Sequence, residues 1–295
     1  MYDIIIVGAG PAGLTSALYA LRAGKKVLVI EANTYGGKII NANKIENYPA
    51  VDSISGFDFA TNLYNQVKKF NCEIKFETVL RVENDKTVVT TKDKYKAKAV
   101  ILATGSFNKK LNIDNEEKFV GSGVSYCATC DGNFYKGRSV AVIGSGETAL
   151  QDALYLSDIA NEVYVVNKND SFKTITTNIN LLEEKKNINV IYNSKVIRIN
   201  GDNKVDSITV SEKGNEKDIN IDGIFIAIGE EPKNEIFSNV VDIDEKGYIK
   251  SDDGVHTKTP GIYVAGDTRV KELRQLTTAV SDGSIAATVA IKELK

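Results

Sequence analysis

The chain of 295 residues carries 37 lysine and arginine side chains against 39 aspartate and glutamate side chains, for a net charge of −2. This balance excludes the basic surface that binding to nucleic acid or to an anionic membrane requires, and no apolar run approaches the ~18 residues of a membrane span. A strand-like run follows Met1 and Tyr2 with no basic leader, and two of the three cysteines form one CxxC pair. We therefore expect a cytoplasmic protein with room for two domains.

The N-terminal residues follow the pattern of a dinucleotide-binding unit. The apolar run Ile4–Val7 predicts a buried parallel strand, and it leads into the hexapeptide GAGPAG, a helical pattern and a second apolar run that ends on Glu31. In this motif Gly8 makes the tight turn, Gly10 lets the backbone approach a pyrophosphate, and Gly13 lets the helix pack closely on the strand. Glu31 is placed for a ribose hydroxyl. The full context predicts a dinucleotide bound at the start of the helix.

The same arrangement recurs in the middle of the chain. The apolar run 139–143 leads into Gly144 and a second glycine-rich turn, and the next strand ends before Asn167, at the interval seen in the first unit. Each unit is followed by short alternating β segments and a closing strand, at 99–105 and 224–229. The sequence therefore predicts an α/β fold with two Rossmann-like, three-layer, dinucleotide-binding domains of related design.

The C-terminal residues complete the first of these domains. A break at Pro232 is followed by a strand-like run ending at Ala265 and by a helical pattern from Arg274 to Ala290. We expect one domain from residues 1–109 and 237–295 and a second from 110–236, inserted into the first and joined by a two-stranded linker. Two short linkers would let the inserted domain swivel as a rigid body.

A CxxC followed at once by a carboxylate stands just before the second glycine motif. Cys127, Cys130 and Asp131 together predict dithiol–disulfide chemistry, since a CxxC supplies a thiolate near neutral pH. A zinc site is disfavoured, because the remaining ligands, Cys72 and His256, are too scattered to complete a set of four. Cys72 is alone in a β-like stretch, where a structural role is expected.

These motifs together resemble the low-molecular-weight thioredoxin reductases over nearly the whole chain. The CATCD between two nucleotide motifs is the most specific of them. Relatives such as glutathione reductase carry their redox cysteines in the first domain and use a C-terminal histidine, whereas His256 lies here in a polar loop without acid–base context. The matching pieces are Gly8–Gly13, Tyr35–Gly37, Ile45–Pro49, Ala103–Gly105, Val124–Gly132, Val264–Asp267 and Arg274–Gln275.

The resemblance implies that the first domain holds FAD. Asp267 would bond the ribityl or phosphate region, Glu31 the adenosine ribose and Asn47 the flavin. A helix opened by Arg274, Gln275 and Leu276 would face the flavin ring, where its N-terminal N–H groups suit an anionic reduced flavin. The expected FAD-binding residues are Gly8, Gly10, Pro11, Ala12, Gly13, Glu31, Gly36, Gly37, Lys38, Asn47, Thr104, Gly105, Asp267, Arg274, Gln275 and Leu276.

The resemblance also assigns roles to the CxxC. Cys130 would lie next to the flavin and take its electrons, Cys127 would be the more exposed thiolate that attacks the partner's disulfide, and Asp131 would give and accept the proton. The implied activity is that of a thioredoxin-disulfide reductase. The implied partner is thioredoxin or a thioredoxin-like protein, and the implied assembly is a homodimer.

The second nucleotide site departs from the family pattern. NADPH-using members place His-Arg-Arg at the end of the second strand with another arginine beyond, where this chain has Asn167, Lys168, Asn169 and then Lys173. An arginine fork grips a 2′-phosphate through two prongs, whereas lysine is a point charge. Lys38 is a smaller departure, since the family commonly has glutamine there. The residues expected for NAD(P)H are Gly144, Gly146, Asn167, Lys168 and Lys173.

The electron donor therefore stays open among NADPH bound weakly, NADH, and ferredoxin without productive NADPH binding. The predicted function is a flavin-dependent reductase in which electrons from NAD(P)H pass through FAD to Cys127 and Cys130 and on to thioredoxin. Ferredoxin as donor is the alternative. A flavin NAD(P)H oxidase or ferredoxin–NADP reductase is disfavoured because such relatives lack the CxxC. A flavoprotein redox sensor is the non-enzyme rival.

Overall fold

The chain forms two compact units, and the second is an insertion in the first. The computed structural model describes residues 1–42, 44–172, 176–252 and 254–294. One unit comprises residues 1–107 and 231–295, and the other comprises residues 108–230. The chain crosses between them in two short strands, Phe107–Asn108 and Glu230–Glu231, which pair as a two-stranded sheet. The predicted insertion through a two-stranded linker is thereby confirmed.

The helices of the described residues fall into both units. They are α1 (Pro11–Arg22), α2 (Gly56–Lys68), α3 (Ala128–Asp131), α4 (Glu147–Ser157), α5 (Thr176–Glu184) and α6 (Leu276–Glu293). Short 3₁₀ turns cover Gly37–Asn41, Gly132–Tyr135, Glu235–Phe237 and Gly266–Thr268.

The strands are mostly short, as expected for buried parallel sheets with antiparallel additions. They are β1 (Tyr2–Val7), β2 (Val27–Glu31), β3 (Glu73–Phe76), β4 (Val79–Val82), β5 (Thr87–Thr90), β6 (Lys94–Leu102), β7 (Phe107–Asn108), β8 (Val124–Ser125), β9 (Ser139–Ile143), β10 (Glu162–Val166), β11 (Ile188–Ile191), β12 (Ser194–Gly201), β13 (Val205–Glu212), β14 (Asn215–Asn220), β15 (Gly223–Ile226), β16 (Glu230–Glu231) and β17 (Ile262–Val264).

The sheet of the first unit runs in the order β3-β2-β1-β6-β5-β4, and β17 pairs with β6. The pairs β1–β2, β1–β6, β2–β3 and β6–β17 are parallel, and β4, β5 and β6 pair antiparallel. The carboxyl ends of β1, β2, β6 and β17 therefore meet at one edge. Ligands of open α/β sheets bind at that edge.

Both faces of β1 are buried, which explains its continuous apolar sequence. Ile4 and Ile6 pack among residues of α1 and α6 on one face, whereas Ile5 and Val7 pack on the other face against the antiparallel strands and residues near Phe237. Each fully buried side chain of this kind stabilises the fold by ~1.5–3 kcal/mol. The unit is thus a three-layer sandwich.

The second unit repeats this plan. Its parallel sheet has the order β11-β10-β9-β15-β8, and a separate antiparallel sheet has the order β12-β13-β14. Val140 and Val142 pack toward α4, and Ala141 and Ile143 pack among residues of the antiparallel sheet. The predicted pair of Rossmann-like, three-layer domains is confirmed.

Candidate active site

The turn between β1 and α1 requires glycine. Gly8 has a φ of +108°, and a Cβ there would collide with the carbonyl oxygen of Ala103. A Cβ at Gly13 would likewise collide with the carbonyl oxygen of Gly8. Gly10 is the N-cap of α1 and Pro11 its first residue, a position where proline loses no helical hydrogen bond. The first N–H groups of the helix consequently face the carboxyl edge of the sheet.

A second pair of glycines closes over this turn. The backbone N–H of Gly36 donates to the carbonyl oxygen of Ala9 at 2.8 Å. Gly36 and Gly37 have φ angles of +100° and +60°, and a Cβ on Gly37 would lie 3.2 Å from the Cα of Gly10. Backbone therefore approaches backbone with no side chain between. This cradle of backbone N–H groups at a helix start fits the pyrophosphate of FAD.

Glu31 stabilises the same turn from the end of β2. Its Oε2 accepts the backbone N–H of Ala9 at 2.8 Å, and its Oε1 accepts the backbone N–H of Asn33 at 3.0 Å. A carboxylate has about four acceptor positions, so these two bonds leave capacity for a hydroxyl. The role of Glu31 as a ribose ligand stays a prediction, and its role in holding the glycine turn is one that sequence reasoning missed.

Lys38 and Asp267, two of the residues expected to bind FAD, lie together. The Nζ of Lys38 donates to the Oγ of Ser106 at 3.1 Å and lies 3.8 Å from Oδ2 of Asp267. Gly105, which precedes Ser106, has a φ of +70°. The ammonium of Lys38 thus places a cation beside the Asp267 carboxylate.

Thr104 belongs to a buried network that sequence reasoning missed. Its Oγ1 lies 2.9 Å from Oγ1 of Thr268 and donates to Oδ1 of Asn234 at 3.3 Å. Asn234 is fully buried and also donates to the carbonyl oxygens of Gly247 at 2.9 Å and Thr268 at 3.2 Å. The network joins the ends of β6 and β17 around the turn that carries Asp267. A single asparagine far along the chain gives no sequence signal of such a role.

The last helix starts later than the helical pattern indicated. We expected Arg274 to open it, but α6 begins at Leu276 with Gln275 as its N-cap. The reason is a reciprocal cap, in which the Gln275 side chain accepts a backbone N–H of the first turn and Oγ1 of Thr278 accepts the N–H of Gln275 at 3.1 Å. Asn47 reaches this cap through Nδ2, 3.3 Å from Oε1 of Gln275.

Arg274 is used to hold the adjoining turn. Its guanidinium lies 3.8 Å from the centre of the Tyr248 ring, and it donates to the carbonyl oxygens of Asp267 and Arg269, each at 3.2 Å. Stacking on an aromatic face is favoured by the planar guanidinium. Arg274 therefore fixes the backbone on either side of Asp267.

The two cysteines of the CxxC form a disulfide. Cys127 is the N-cap of α3 and Cys130 lies inside this short helix, which brings their Cα atoms to 5.3 Å within the usual disulfide range. Both are half-buried, so the expected greater exposure of Cys127 stays a prediction. Oγ1 of Thr129 lies 3.5 Å from Sγ of Cys127.

Asp131 is the carboxyl group beside this disulfide. Burial raises its pKa, and a hydrogen bond from Ser125 acts in the opposite direction. That bond runs from Oγ of Ser125 to Oδ2 of Asp131 at 2.6 Å. Ser125 was not among the expected site residues, although it lies in the stretch that resembles the family. A carboxyl with a raised pKa next to a disulfide is suited to proton transfer.

The second glycine motif has the same local construction as the first. A Cβ on Gly144 would lie 2.5 Å from the carbonyl oxygen of Ala227 and 2.6 Å from Cβ of Ala149, so strand and helix pack closely there. Gly146 is the N-cap of α4, and within the described part of the chain nothing lies within 4 Å of a Cβ built on it. The space at this helix start is open to a phosphate group.

Asn167 closes a turn after β10. It is fully buried, its Oδ1 accepts the N–H of Asn169 at 2.9 Å, and its Nδ2 donates to the carbonyl oxygen of Ser171 at 3.2 Å. Lys168 is exposed, and Lys173 lies outside the described residues. The roles of these residues toward NAD(P)H stay predictions, and the position that would hold a ribose or its phosphate is used for backbone support.

The remaining cysteine and the histidine lie away from this chemistry. Cys72 is 2% exposed, and burial raises its pKa to about 11, as expected for a structural thiol. His256 bonds Asp252 and Glu293, each at 2.8 Å. Among the residues that the structure describes, no group of three or more His, Cys, Asp and Glu side chains is arranged to hold a metal ion. None of the described helices is both long and apolar enough for a membrane crossing.

Comparison with known proteins gives consistent matches over the full chain. The family described as pyridine nucleotide-disulphide oxidoreductase matches residues 2–283. A thioredoxin reductase of Listeria monocytogenes is 38% identical over 304 residues, covering 100% of this chain and 95% of that protein. The crystal structure of thioredoxin reductase from Streptococcus pyogenes superposes with a TM-score of 0.96 at 38% identity, covering 100% and 98% of the two chains. A thioredoxin reductase from Giardia duodenalis gives a TM-score of 0.93 at 30% identity, covering 99% and 98%.

Proposed function

We propose that this chain, which belongs to the pyridine nucleotide-disulphide oxidoreductase family, is a low-molecular-weight thioredoxin reductase. It is a flavin-dependent enzyme that reduces the disulfide of thioredoxin. The observation that carries the proposal is the Cys127–Cys130 disulfide next to the half-buried carboxyl of Asp131. The relatives named thioredoxin reductase support it, because they match the chain over nearly their whole length.

FAD is the cofactor, and the first unit is its proposed domain. The residues that would hold it are the glycine cradle around Gly10 and Gly37, together with Glu31 at the glycine turn and the paired side chains of Lys38 and Asp267. When bound, FAD supplies the electron pair that reduces the Cys127–Cys130 disulfide. Reduction of that disulfide breaks one S–S bond and takes up two electrons, with protons added according to the pKa of each thiol.

Thiol–disulfide exchange then passes the electrons on. The Cys127 thiolate attacks one sulfur of the thioredoxin disulfide, so that a mixed disulfide forms and a thioredoxin thiolate leaves. Cys130 next attacks Sγ of Cys127, which re-forms the Cys127–Cys130 disulfide and releases reduced thioredoxin. The Thr129 hydroxyl, 3.5 Å from Cys127 Sγ, is close to the attacking sulfur. Asp131 gives and accepts the proton that the departing thiolates require.

The electron donor is a pyridine nucleotide. The family description supports this choice, as does the open glycine turn at Gly146, and the comparisons give no support to ferredoxin. Since Asn167 is engaged in its own turn, we propose that Lys168 and Lys173 bind the 2′-phosphate of NADPH without an arginine fork. Weak discrimination between NADPH and NADH follows from that substitution.

The cellular setting is proposed on the resemblance to the family. The partner is thioredoxin or a thioredoxin-like protein, the assembly is a homodimer, and the location is the cytoplasm. Alternation of the Cys127–Cys130 pair between flavin and thioredoxin through a swivel of the inserted unit is proposed on the same basis.

An anaerobic titration tests the donor. The yellow protein is mixed separately with NADPH, NADH and reduced ferredoxin, and bleaching of the flavin absorbance is followed. Bleaching by either pyridine nucleotide supports the proposal. Bleaching by reduced ferredoxin alone would show that ferredoxin, and not a pyridine nucleotide, is the electron donor.

Turnover with purified thioredoxin tests whether electrons leave the protein through the Cys127–Cys130 pair. The Cys127→Ser variant should bind FAD and lose thioredoxin reduction, while the matched Cys72→Ala variant should retain turnover. Retained turnover in Cys127→Ser would refute the assigned disulfide. Absence of turnover in the unchanged protein, together with a disulfide that cycles, would favour the redox-sensor rival.

A further inference from the structure

Ser125 lies at the junction of the carboxyl group and the redox helix. Its hydroxyl donates to Oδ2 of Asp131 at 2.6 Å and accepts the backbone N–H of Cys127 at 3.1 Å. The same hydroxyl lies 3.4 Å from the carbonyl oxygen of Cys127. One side chain is thus placed against both the proton carrier and the residue that would attack thioredoxin.

The strand that carries Ser125 holds it in a fixed position. Ser125 ends β8, which pairs in parallel with β15 so that Ser125 is in register with Phe225. It is only 5% exposed. A buried hydroxyl in a strand has little freedom to change its partners except by turning its own O–H bond.

Rotation of the O–H bond gives the Ser125 hydroxyl a hydrogen-bond partner in each protonation state of Asp131. When the carboxyl is charged, the hydroxyl proton points to Oδ2 of Asp131. When the carboxyl is neutral, its proton can be donated to Oγ of Ser125, and the hydroxyl proton can point to the carbonyl oxygen of Cys127. Oγ has two lone pairs, so it still accepts the N–H of Cys127. The half-buried carboxyl of Asp131 can therefore exchange a proton without leaving these polar groups unsatisfied, which is otherwise costly.

Tyr135 is a second titratable group near Asp131. Tyr135 follows on the next 3₁₀ turn, and Asp131 raises the pKa of its phenol, after the larger effect of burial. The same phenol is influenced by Arg138 and Asp222. For Asp131 itself, burial acts to raise the pKa and the hydrogen bond from Ser125 acts to lower it.

Helix α4 packs against the turn that follows Asp131. Tyr155 and Leu156 would lie within 3.1 Å of a Cβ on Gly132. Asp152, one turn earlier on α4, has a pKa raised to about 6 by burial. Cys127 and Cys130 themselves titrate once the disulfide is reduced. Ser125 differs from these groups in donating a hydrogen bond to Asp131.

We propose that Ser125 is a positioning residue for proton transfer by Asp131, because it solvates the carboxyl in both protonation states and ties it to the backbone of Cys127. The inference rests on the proposed function, since the acid–base role of Asp131 belongs to thioredoxin reduction. It adds a residue that the motif itself does not identify as part of the chemistry.

The pH profile of thioredoxin reduction tests the role. In Ser125→Ala the charged carboxyl loses its donor, so we expect the acidic limb of kcat/KM for thioredoxin to move to higher pH by about one unit, a tenfold change in the proton equilibrium. Ser125→Thr keeps a hydroxyl and should restore the original limb. Ser211→Ala, a serine of β13 in the same unit, is the matched control and should leave the profile unchanged.

The double variant separates positioning from a structural effect. Asp131→Asn should remove the acidic limb of the pH profile. Adding Ser125→Ala to Asp131→Asn should then cause no further change in the profile. A uniform loss of rate at every pH, or an equal effect of Ser125→Ala with and without Asp131, would overturn the proposal. Absence of thioredoxin turnover in the unchanged protein would instead show that the proposed function has failed.

A second measurement needs neither a pyridine nucleotide nor thioredoxin. The holoenzyme is reduced with dithiothreitol, freed of it anaerobically, and alkylated with iodoacetamide between pH 5 and 9, a range set by thiol pKa values of about 3.5–8.5. Ser125→Ala should shift the dependence of the alkylation rate on pH, and Ser125→Thr should not. Identical dependences in the two variants and the unchanged protein would contradict the coupling of Ser125 to the thiols through Asp131.

Discussion

The carboxylate of Asp282 accepts a hydrogen bond from the backbone N–H of Gly266 at 3.0 Å. Asp282 lies in the middle of α6, is 8% exposed, and also accepts from Nζ of Lys271 at 2.9 Å. Arg269 approaches the same oxygen at 3.8 Å. The last helix thereby holds the turn that presents Asp267 to the proposed FAD site.

Removal of Asp282 should destabilise the fold and loosen this turn. Asp282→Ala leaves the ammonium of Lys271 buried without its partner, which costs about 3–5 kcal/mol. Asp282→Asn keeps an acceptor for Gly266 and should cost less. Urea denaturation gives the free energy of unfolding, and the ratio of flavin to protein absorbance after gel filtration gives FAD retention. Both variants lack the charge, so an Asp282→Asn variant as stable as the unchanged protein would refute the importance of the charge, whereas equal stability of Asp282→Ala and Asp282→Asn would refute the importance of the acceptor for Gly266.

Glu31 should matter for FAD through the glycine turn as well as through direct contact. Glu31→Gln loses the charge that receives the N–H groups of Ala9 and Asn33, bonds worth roughly 1.5–3 kcal/mol each with a charged acceptor. We expect the Kd for FAD to rise by about tenfold or more. Glu83→Gln, which alters an exposed pair with Arg81, is the control, and fluorescence titration of the apoprotein is the measurement. Unchanged FAD affinity would assign Glu31 no part in the site.

Gly146→Ala should separate nucleotide binding from stability. A Cβ at this position meets nothing within 4 Å among the described residues, and Gly146 has a φ of −110° that alanine adopts readily. The Tm should change little, whereas KM for the pyridine nucleotide should rise several-fold because the methyl occupies the approach of the phosphate.

Gly144→Ala provides the contrast to that variant. Its Cβ would lie 2.5 Å from the carbonyl oxygen of Ala227, so the Tm itself should fall. Calorimetry and steady-state kinetics on both variants distinguish the two effects. An unaltered KM in Gly146→Ala would argue against phosphate binding at this helix start.

His256 should make stability depend on pH near neutrality. Hydrogen bonds to Glu293 and Asp252 raise its pKa above the ordinary 6.5. Since the folded state holds the proton more tightly, the stabilisation is fully present below pH 6.5 and is lost as the pH rises through the raised pKa. The side chain is 40% exposed, so solvent screening limits the effect to about 1 kcal/mol or less.

Denaturation curves at a series of pH values check this dependence. His256→Gln should remove the decline in the free energy of unfolding above pH 6.5, the ordinary value for this group. Tyr263 also donates to Glu293, at 2.6 Å, so the helix end should stay attached in the variant. A decline of the same size in His256→Gln would place its origin elsewhere.

Much of the fold followed from local patterns. The turn from β1 into α1 was predictable because Gly8 and Gly13 must be glycine wherever strand and helix meet so closely. The duplication was predictable because both units repeat the pattern. The predicted start of α6 was wrong by two residues. The helical periodicity begins at Arg274, but the side-chain cap at Gln275 makes Leu276 the first helical residue.

The sequence by itself determined the elements, the glycine turns and the identity of the redox pair, because each depends on residues a few positions apart. Only the tertiary structure decided which distant side chains support them: Asn234 bonded to Thr104, Asp282 beneath Gly266, and Ser125 against Asp131. Those partners are chosen by how strands and helices pack, and polar groups buried by packing must find acceptors or donors wherever the fold places them. The spacing of residues along the chain therefore does not predict these partners.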